Sequence, residues 1–163
     1  MPSSKPTIPL LFVALLGGAC STAKPATLGV VDGKLAPCPS APHCVSSQKD
    51  GGIHGVKPIH YSMSRAEARK KLVTILSSMP GAAVITDSND YVRAEFISQR
   101  FKYVDDLEIY LDDREKLAHF RSSSRTGYWD LGVNRRRIEE IRKQFLAEKK
   151  EPAEKRAPKQ ARR

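Results

Sequence analysis

From residue 64 onward the apolar positions follow two different periods. Ala68, Leu72, Ile75, Leu76 and Met79 recur at helical spacing, while Arg65, Arg69, Lys70 and Lys71 mostly take other faces. In front of them Ser64-Arg-Ala-Glu67 is a capping box: the Ser hydroxyl and the Glu carboxylate each satisfy a backbone donor that a helix start leaves free. Pro80-Gly81 stops the run, so one helix with a single apolar stripe is predicted. Beyond it the period drops to two. Strands are predicted at 82–86, 91–98, 101–111 and 116–122, separated by Asp87-Ser-Asn-Asp90, Gln99-Arg100 and Asp112-Asp113. Connections this short imply an antiparallel meander.

Alternation along 101–111 puts Phe101, Tyr103, Leu107, Ile109 and Leu111 on one face, so Asp105 points into the packed side while Asp106 and Glu108 point away. A last helix is predicted to start at Asn134, a good N-cap residue, and to present Ile138, Ile141 and Phe145 to the sheet. With a short strand within 56–61 the order is β-α-β-β-β-β-α. The fold class is α+β: a small antiparallel sheet of about four to five strands with two helices packed on one face.

The chain ends change the picture. MPSSKPTIPLLFVALLGGAC carries Lys5, an apolar run over 10–16 and then small residues, the layout of a secretory signal. Even from Ile8 the apolar stretch is about half of the ~20 residues a spanning helix needs. Cleavage before Cys20 points to lipoprotein processing, which attaches several acyl chains and makes a stable anchor. Gly17 departs from the usual lipobox, where Leu, Val or Ile stands three residues before the cysteine; ordinary cleavage after Ala19 or Ala23 is the alternative. The expected organisation is a signal peptide at 1–19, lipidated Cys20 with a small, polar tether over 20–27, one domain at 28–148, and a basic tail at 149–163. The domain holds roughly 110 residues in its core-forming part, enough for one hydrophobic core. The whole chain is 40% hydrophobic and 28% charged, so its middle is expected to fold. Of the net charge of +10, half comes from the tail, where seven basic residues stand against Glu151 and Glu154. An exported chain meets anionic lipid headgroups or surface polymers, so the expected partners are the membrane and an anionic envelope component rather than nucleic acid. A monomer lipid-anchored outside the cytoplasm is expected, on the outer membrane where there are two, because Ser21 rather than Asp follows Cys20.

Three stretches look familiar: Leu35-Ala-Pro-Cys38-Pro-Ser-Ala-Pro-His-Cys44-Val-Ser-Ser-Gln48, Phe101-Lys-Tyr-Val-Asp-Asp-Leu-Glu108, and Arg121-Ser-Ser-Ser-Arg125-Thr-Gly-Tyr-Trp-Asp130-Leu-Gly-Val-Asn134-Arg-Arg-Arg-Ile-Glu139. They resemble the family catalogued as domain of unknown function 1499, in matching order over about 28–145. In that family Asn usually stands at the position of His43 and Ala at that of Ser123. The resemblance implies domain limits and a bacterial protein with a signal or membrane segment, and no reaction.

Candidate chemistry is sparse. Cys38 and Cys44 enclose a Pro-rich loop, and in an oxidising compartment a disulfide is the first reading. The alternatives are zinc through Cys38, Cys44, His54 and His60, whose spacing fits no tight knuckle, and free thiols. The densest polar segment, 121–135, joins a strand to a helix. Arg121, Ser122, Arg125, Asp130, Asn134 and Arg135 there can hold an anionic group, with Tyr128 or Trp129 stacking on a ring or sugar. The competing expectation is that Arg121 and Arg125 pair with the acids of the neighbouring strand. His119 with Ser122 to Ser124 lacks a third member, and there is no nucleophile-elbow, phosphate-loop, dinucleotide or His-Glu-x-x-His pattern. Two functions stand in order: a non-enzymatic binding or scaffolding domain with no cofactor, and an envelope enzyme acting on an anionic substrate through 121–135 with Asp105 or Asp106.

Overall fold

The computed structural model describes residues 24–49 and 51–147. The expected signal peptide, Cys20 and the basic tail lie outside the described residues.

Helix α1 (Arg65–Ser78) begins at the expected capping box: Ser64 Oγ accepts from the Glu67 amide at 3.3 Å, and the Ser64 amide donates to Glu67 Oε2 at 3.0 Å. It buries Ala68, Leu72, Ile75 and Leu76. Strands β5 (Ala82–Asp87), β6 (Tyr91–Ile97), β7 (Val104–Asp112) and β8 (Leu117–Ser124) form the predicted antiparallel meander. Upstream lie four short strands: β1 (Val30–Val31), β2 (Lys34–Leu35), β3 (Cys44–Ser46) and β4 (Ile59–His60). β1 and β2 make a separate hairpin, whereas β3 and β4 pair in succession along the outer edge of β8. The main sheet thus has six strands, ordered β3-β8-β7-β6-β5 with β4 beside β8. Helix α2 (Val133–Leu146) returns across β8 and β3, and the two helices touch. The fold is α+β, with a core of Val92, Ala94, Phe96, Leu107, Ile109, Leu111, Ala118 and Phe120 from the sheet against Leu72, Leu76, Ile138, Ile141 and Phe145 from the helices.

Two boundaries differ from expectation for identifiable reasons. The third meander strand starts at Val104 and not at 101. Ser98 holds a wider turn, its carbonyl accepting from the Lys102 amide and its Oγ from the Tyr103 amide, with Lys102 at φ 56°. Phe101 and Tyr103 are therefore 63% and 51% exposed, outside the core. Asn134 is not the N-cap of α2. That place belongs to Gly132 at φ 76°, and the Asp130 carboxylate accepts the Gly132 and Asn134 amides at 2.8 and 2.9 Å. Asn134 sits inside the first turn, fully buried.

The face away from the helices is covered as well. The Gly29 amide donates to Glu108 Oε1 at 2.8 Å, and β2 lies against β7. Gln48 ties the hairpin down, accepting from the Leu35 amide at 2.8 Å and donating to the Gly33 carbonyl at 2.9 Å. A Cys38–Cys44 disulfide closes the Pro-rich loop that leads into β3, with 5.6 Å between the Cα atoms. Asp106 and Glu108 do point away from the helices, yet they are buried to 1% and 0% exposure beneath this N-terminal segment.

Candidate functional site

The register of β6, β7 and β8 assembles a charged layer on the covered face. Arg93 stands opposite Glu108 and Glu108 opposite Arg121; one pair along, Glu95 stands opposite Asp106. Arg93 Nη1 donates to Asp106 Oδ1 at 2.7 Å and to Glu95 Oε1 at 2.9 Å. Arg125, just past β8, grips Asp106 with its fork, Nε to Oδ2 at 2.7 Å and Nη2 to Oδ1 at 2.9 Å, and reaches Glu95 at 2.5 Å. Arg121 Nη1 donates to Glu108 Oε2 at 3.0 Å, while Tyr91 donates its hydroxyl to Glu108 Oε1 at 2.8 Å. Three guanidiniums thus meet three carboxylates and the layer is neutral.

The electrostatics follow from these contacts. Hydrogen bonding to Asp106 drives the Arg125 guanidinium above its usual range against the opposing effect of burial. Burial acts to raise the Glu95 carboxyl, but the bonds from Arg93 and Arg125 outweigh it and hold it low. Burial, then the Glu108 charge, pushes the Tyr91 phenol well above its ordinary value.

A second cluster lies on the helix side, where β8 hands over to α2. Asn134 Nδ2 donates to the His43 carbonyl and Ser124 Oγ at 3.1 Å each and to Asp130 Oδ2 at 2.9 Å, and its Oδ1 accepts from Ser122 Oγ and from Arg137 at 2.6 Å. Arg137 continues to Asp105 Oδ2 at 2.7 Å and covers the Phe96 ring, its guanidinium carbon 4.2 Å from the centroid. This satisfies the one polar residue that alternation aimed into the core. Burial acts to raise the Asp130 carboxyl, but the amides of Asn134 and Gly132 prevail and keep it below the usual carboxylate range.

The residues singled out from the sequence are thereby divided. Arg121, Arg125 and Asp106 belong to the charged layer, and Ser122, Asn134, Asp130 and Asp105 to the junction on the opposite face, so Asp105 and Asp106 do not converge on one pocket. Arg135 is spent on two carbonyls, Gly55 at 2.7 Å and Ile53 at 2.8 Å. Tyr128 and Trp129 alone stand out into solvent, 75% and 65% exposed. Sequence reading missed Tyr91, Arg93, Glu95 and Arg137. Tyr91, Arg93 and Glu95 carried a signal, since they occupy every second place of a predicted strand with Val92, Ala94 and Phe96 between them.

The other candidates do not assemble. Strand alternation turns Ser122 and Ser124 to the face opposite His119, whose Nδ1 lies 3.3 Å from Ser47 Oγ and whose ring stacks on Tyr110. Burial lowers the His119 pKa. Of the four zinc candidates the cysteines are bonded to each other, and His54 Nδ1 is committed to the Cys44 carbonyl at 2.8 Å. Among the described residues no group of three His, Cys, Asp or Glu side chains is placed to hold a metal ion. A shallow cleft of about 350 Å³ lies elsewhere, between α1 and the end of β5, beside the Arg69–Asp87 pair. No helix among the described residues is long and apolar enough to cross a membrane.

A family model described as "Protein of unknown function (DUF1499)" matches residues 34–145. No curated protein matches the chain.

Proposed function

We propose an envelope role for this chain, which belongs to the DUF1499 family: a lipoprotein anchored through Cys20, whose domain binds or scaffolds an envelope component without catalysing a reaction. The observation that carries this reading is the neutrality and closure of the charged layer. Arg121 and Arg125, the cations best suited to seize an anionic substrate, have only 7% and 6% of their side chains exposed and are matched by buried carboxylates. Catalysis needs an acid or base within reach of a substrate atom, and the buried acids here touch arginines, a tyrosine and backbone amides instead. A neutral, internally bonded sheet with exposed aromatic loops suits a rigid body that presents a surface. Metabolic labelling with a fatty-acid probe tests the anchor: the wild type takes up label and Cys20→Ser does not, and equal absence of label in both overturns it. Mass spectrometry of what co-purifies with the native protein tests the binding half. A molecule converted on incubation with the purified chain refutes the non-enzymatic reading.

A further inference from the structure

Two loops at one end of the sheet leave large apolar side chains without cover. The β6–β7 turn exposes Phe101 and Tyr103, stacked with centroids 5.6 Å apart. The β8–α2 loop exposes Tyr128, Trp129 and Leu131, the last at 63%. The loops lie side by side, because Asp105 pairs with Ser124 and the Arg125 amide donates to the Val104 carbonyl at 3.0 Å. Lys102 and Leu131 hold their outward places with φ of 56° and 54°, a backbone region that is costly for residues with a side chain and is kept only where its surroundings enforce it.

The exposed charges at this rim, Arg100 and Lys102, are both positive. The nearby carboxylates are turned inward, Asp130 onto backbone amides and Asp105 onto Arg137. Arg100 lies over the Phe101 ring at 5.4 Å, and neither it nor Lys102 is paired with a carboxylate among the described residues. Aromatic side chains with a polar tip, interleaved with cations, are what a membrane–water interface selects: rings at headgroup depth, charges on the phosphates. Geometry agrees. Cys20 stands nine residues before Gly29, which Glu108 fixes to the sheet, and nine residues span at most ~30 Å. A domain of this size has a radius of gyration of about 13 Å, so an anchored copy cannot leave the surface.

We propose that the rim formed by the 98–103 and 125–131 loops docks on an anionic phospholipid surface, seating the domain on the bilayer in one orientation. This rests on the envelope reading above, and the test separates the two. Trp129 is the sole tryptophan and reports on the rim alone. The full chain is mixed with vesicles of phosphatidylglycerol and phosphatidylcholine, and its emission, acrylamide quenching and quenching by phospholipids brominated near the headgroup are followed beside fatty-acid labelling. Expected are a blue shift, several-fold protection from acrylamide, and quenching by the brominated lipid. In the Cys20→Ser chain, which lacks the lipid, Arg100→Glu with Lys102→Glu should weaken vesicle binding at least about tenfold with an unchanged unfolding midpoint. Label on Cys20 with Trp129 still open to acrylamide on floated vesicles overturns the docking proposal and leaves the anchor standing. Lipid quenching without label overturns the anchor and leaves the docking. Absence of both overturns both, and protection that grows with protein concentration without lipid assigns the rim to a second copy.

Discussion

Removing Arg125 is the sharpest way to ask whether the polar segment is structural. In Arg125→Ala the Asp106 carboxylate, 1% exposed, loses both prongs of a fork and Glu95 loses its shortest partner. Breaking a buried ion pair by deleting one partner costs about 3–5 kcal/mol, because the survivor stays desolvated. Arg93 still donates to Asp106 at 2.7 Å, so part of that charge remains compensated and a cost at or just below the bottom of that range, about 2–3 kcal/mol, is expected. Arg125→Lys keeps the charge but not the fork, and should lose about 1–2 kcal/mol. Trp129→Ala deletes a side chain that is 65% exposed and should stay within about 0.5 kcal/mol of wild type. Urea unfolding measures all three. With slopes of about 1–3 kcal/mol per molar, Arg125→Ala lowers the midpoint by a molar or so, while Trp129→Ala leaves it in place. If Arg125→Ala unfolds with the wild type, the contacts of Arg125 with Asp106 and Glu95 contribute nothing to stability. Loss of co-purifying ligand without loss of stability would then make Arg125 a ligand contact, against the scaffold reading proposed above.

Opening the 38–44 loop with Cys38→Ser and Cys44→Ser should cost about 2 kcal/mol, the entropy of so short a closure; urea unfolding reads the loss, and faster amide exchange confined to 28–48 would locate it. Asp130 gives a pH signature. Its carboxyl is held below the usual range in the folded state, so its contribution is complete above about pH 4 and disappears as the pH falls through the folded value. Asp130→Asn should therefore be less stable than wild type at pH 7, by about 0.5–1 kcal/mol, with the two unfolding curves converging under acid. A constant gap down to pH 2 would contradict the role of the Asp130 carboxylate as acceptor of the Gly132 and Asn134 amides.

Much of this architecture can be read along the chain because its signals are local. The Ser64–Glu67 box, the Pro80-Gly81 stop and the period-two runs of β5 to β8 each depend on neighbours in sequence. The errors have the same origin. Phe101 and Tyr103 continue the apolar alternation of Leu107, Ile109 and Leu111 into what is a turn, because periodicity does not register the Ser98 hydrogen bonds that close it. Asn134 has the right chemistry for an N-cap, but Asp130, four residues earlier, accepts the amides of Gly132 and of Asn134 itself, and so draws Asn134 into the first turn. The candidate site was legible as residue types and illegible as geometry. Alternation correctly turned Asp106 and Glu108 away from the helices, yet a polar face ordinarily means solvent, and its cover comes from Gly29, 79 residues before Glu108. The strands of two or three residues in 28–60 carry no period at all.

The alternation of carboxylates and aliphatics along β7 also acts as an indexing device. Sliding β7 by one residue against its neighbours would drive Asp106 and Glu108 into the helix-side core and lift Leu107 and Ile109 onto the arginines. A slide by two in one direction would set Glu95 against Glu108 and leave Arg93 facing Tyr110 instead of its acid, given the observed pairing of Glu95 with Asp106 and Arg93 with Glu108. A wholly aliphatic strand would tolerate either error at small cost. The six charges need not make the sheet much stronger than a greasy equivalent; they make its misaligned forms much worse, and so leave the folding chain one alignment to find.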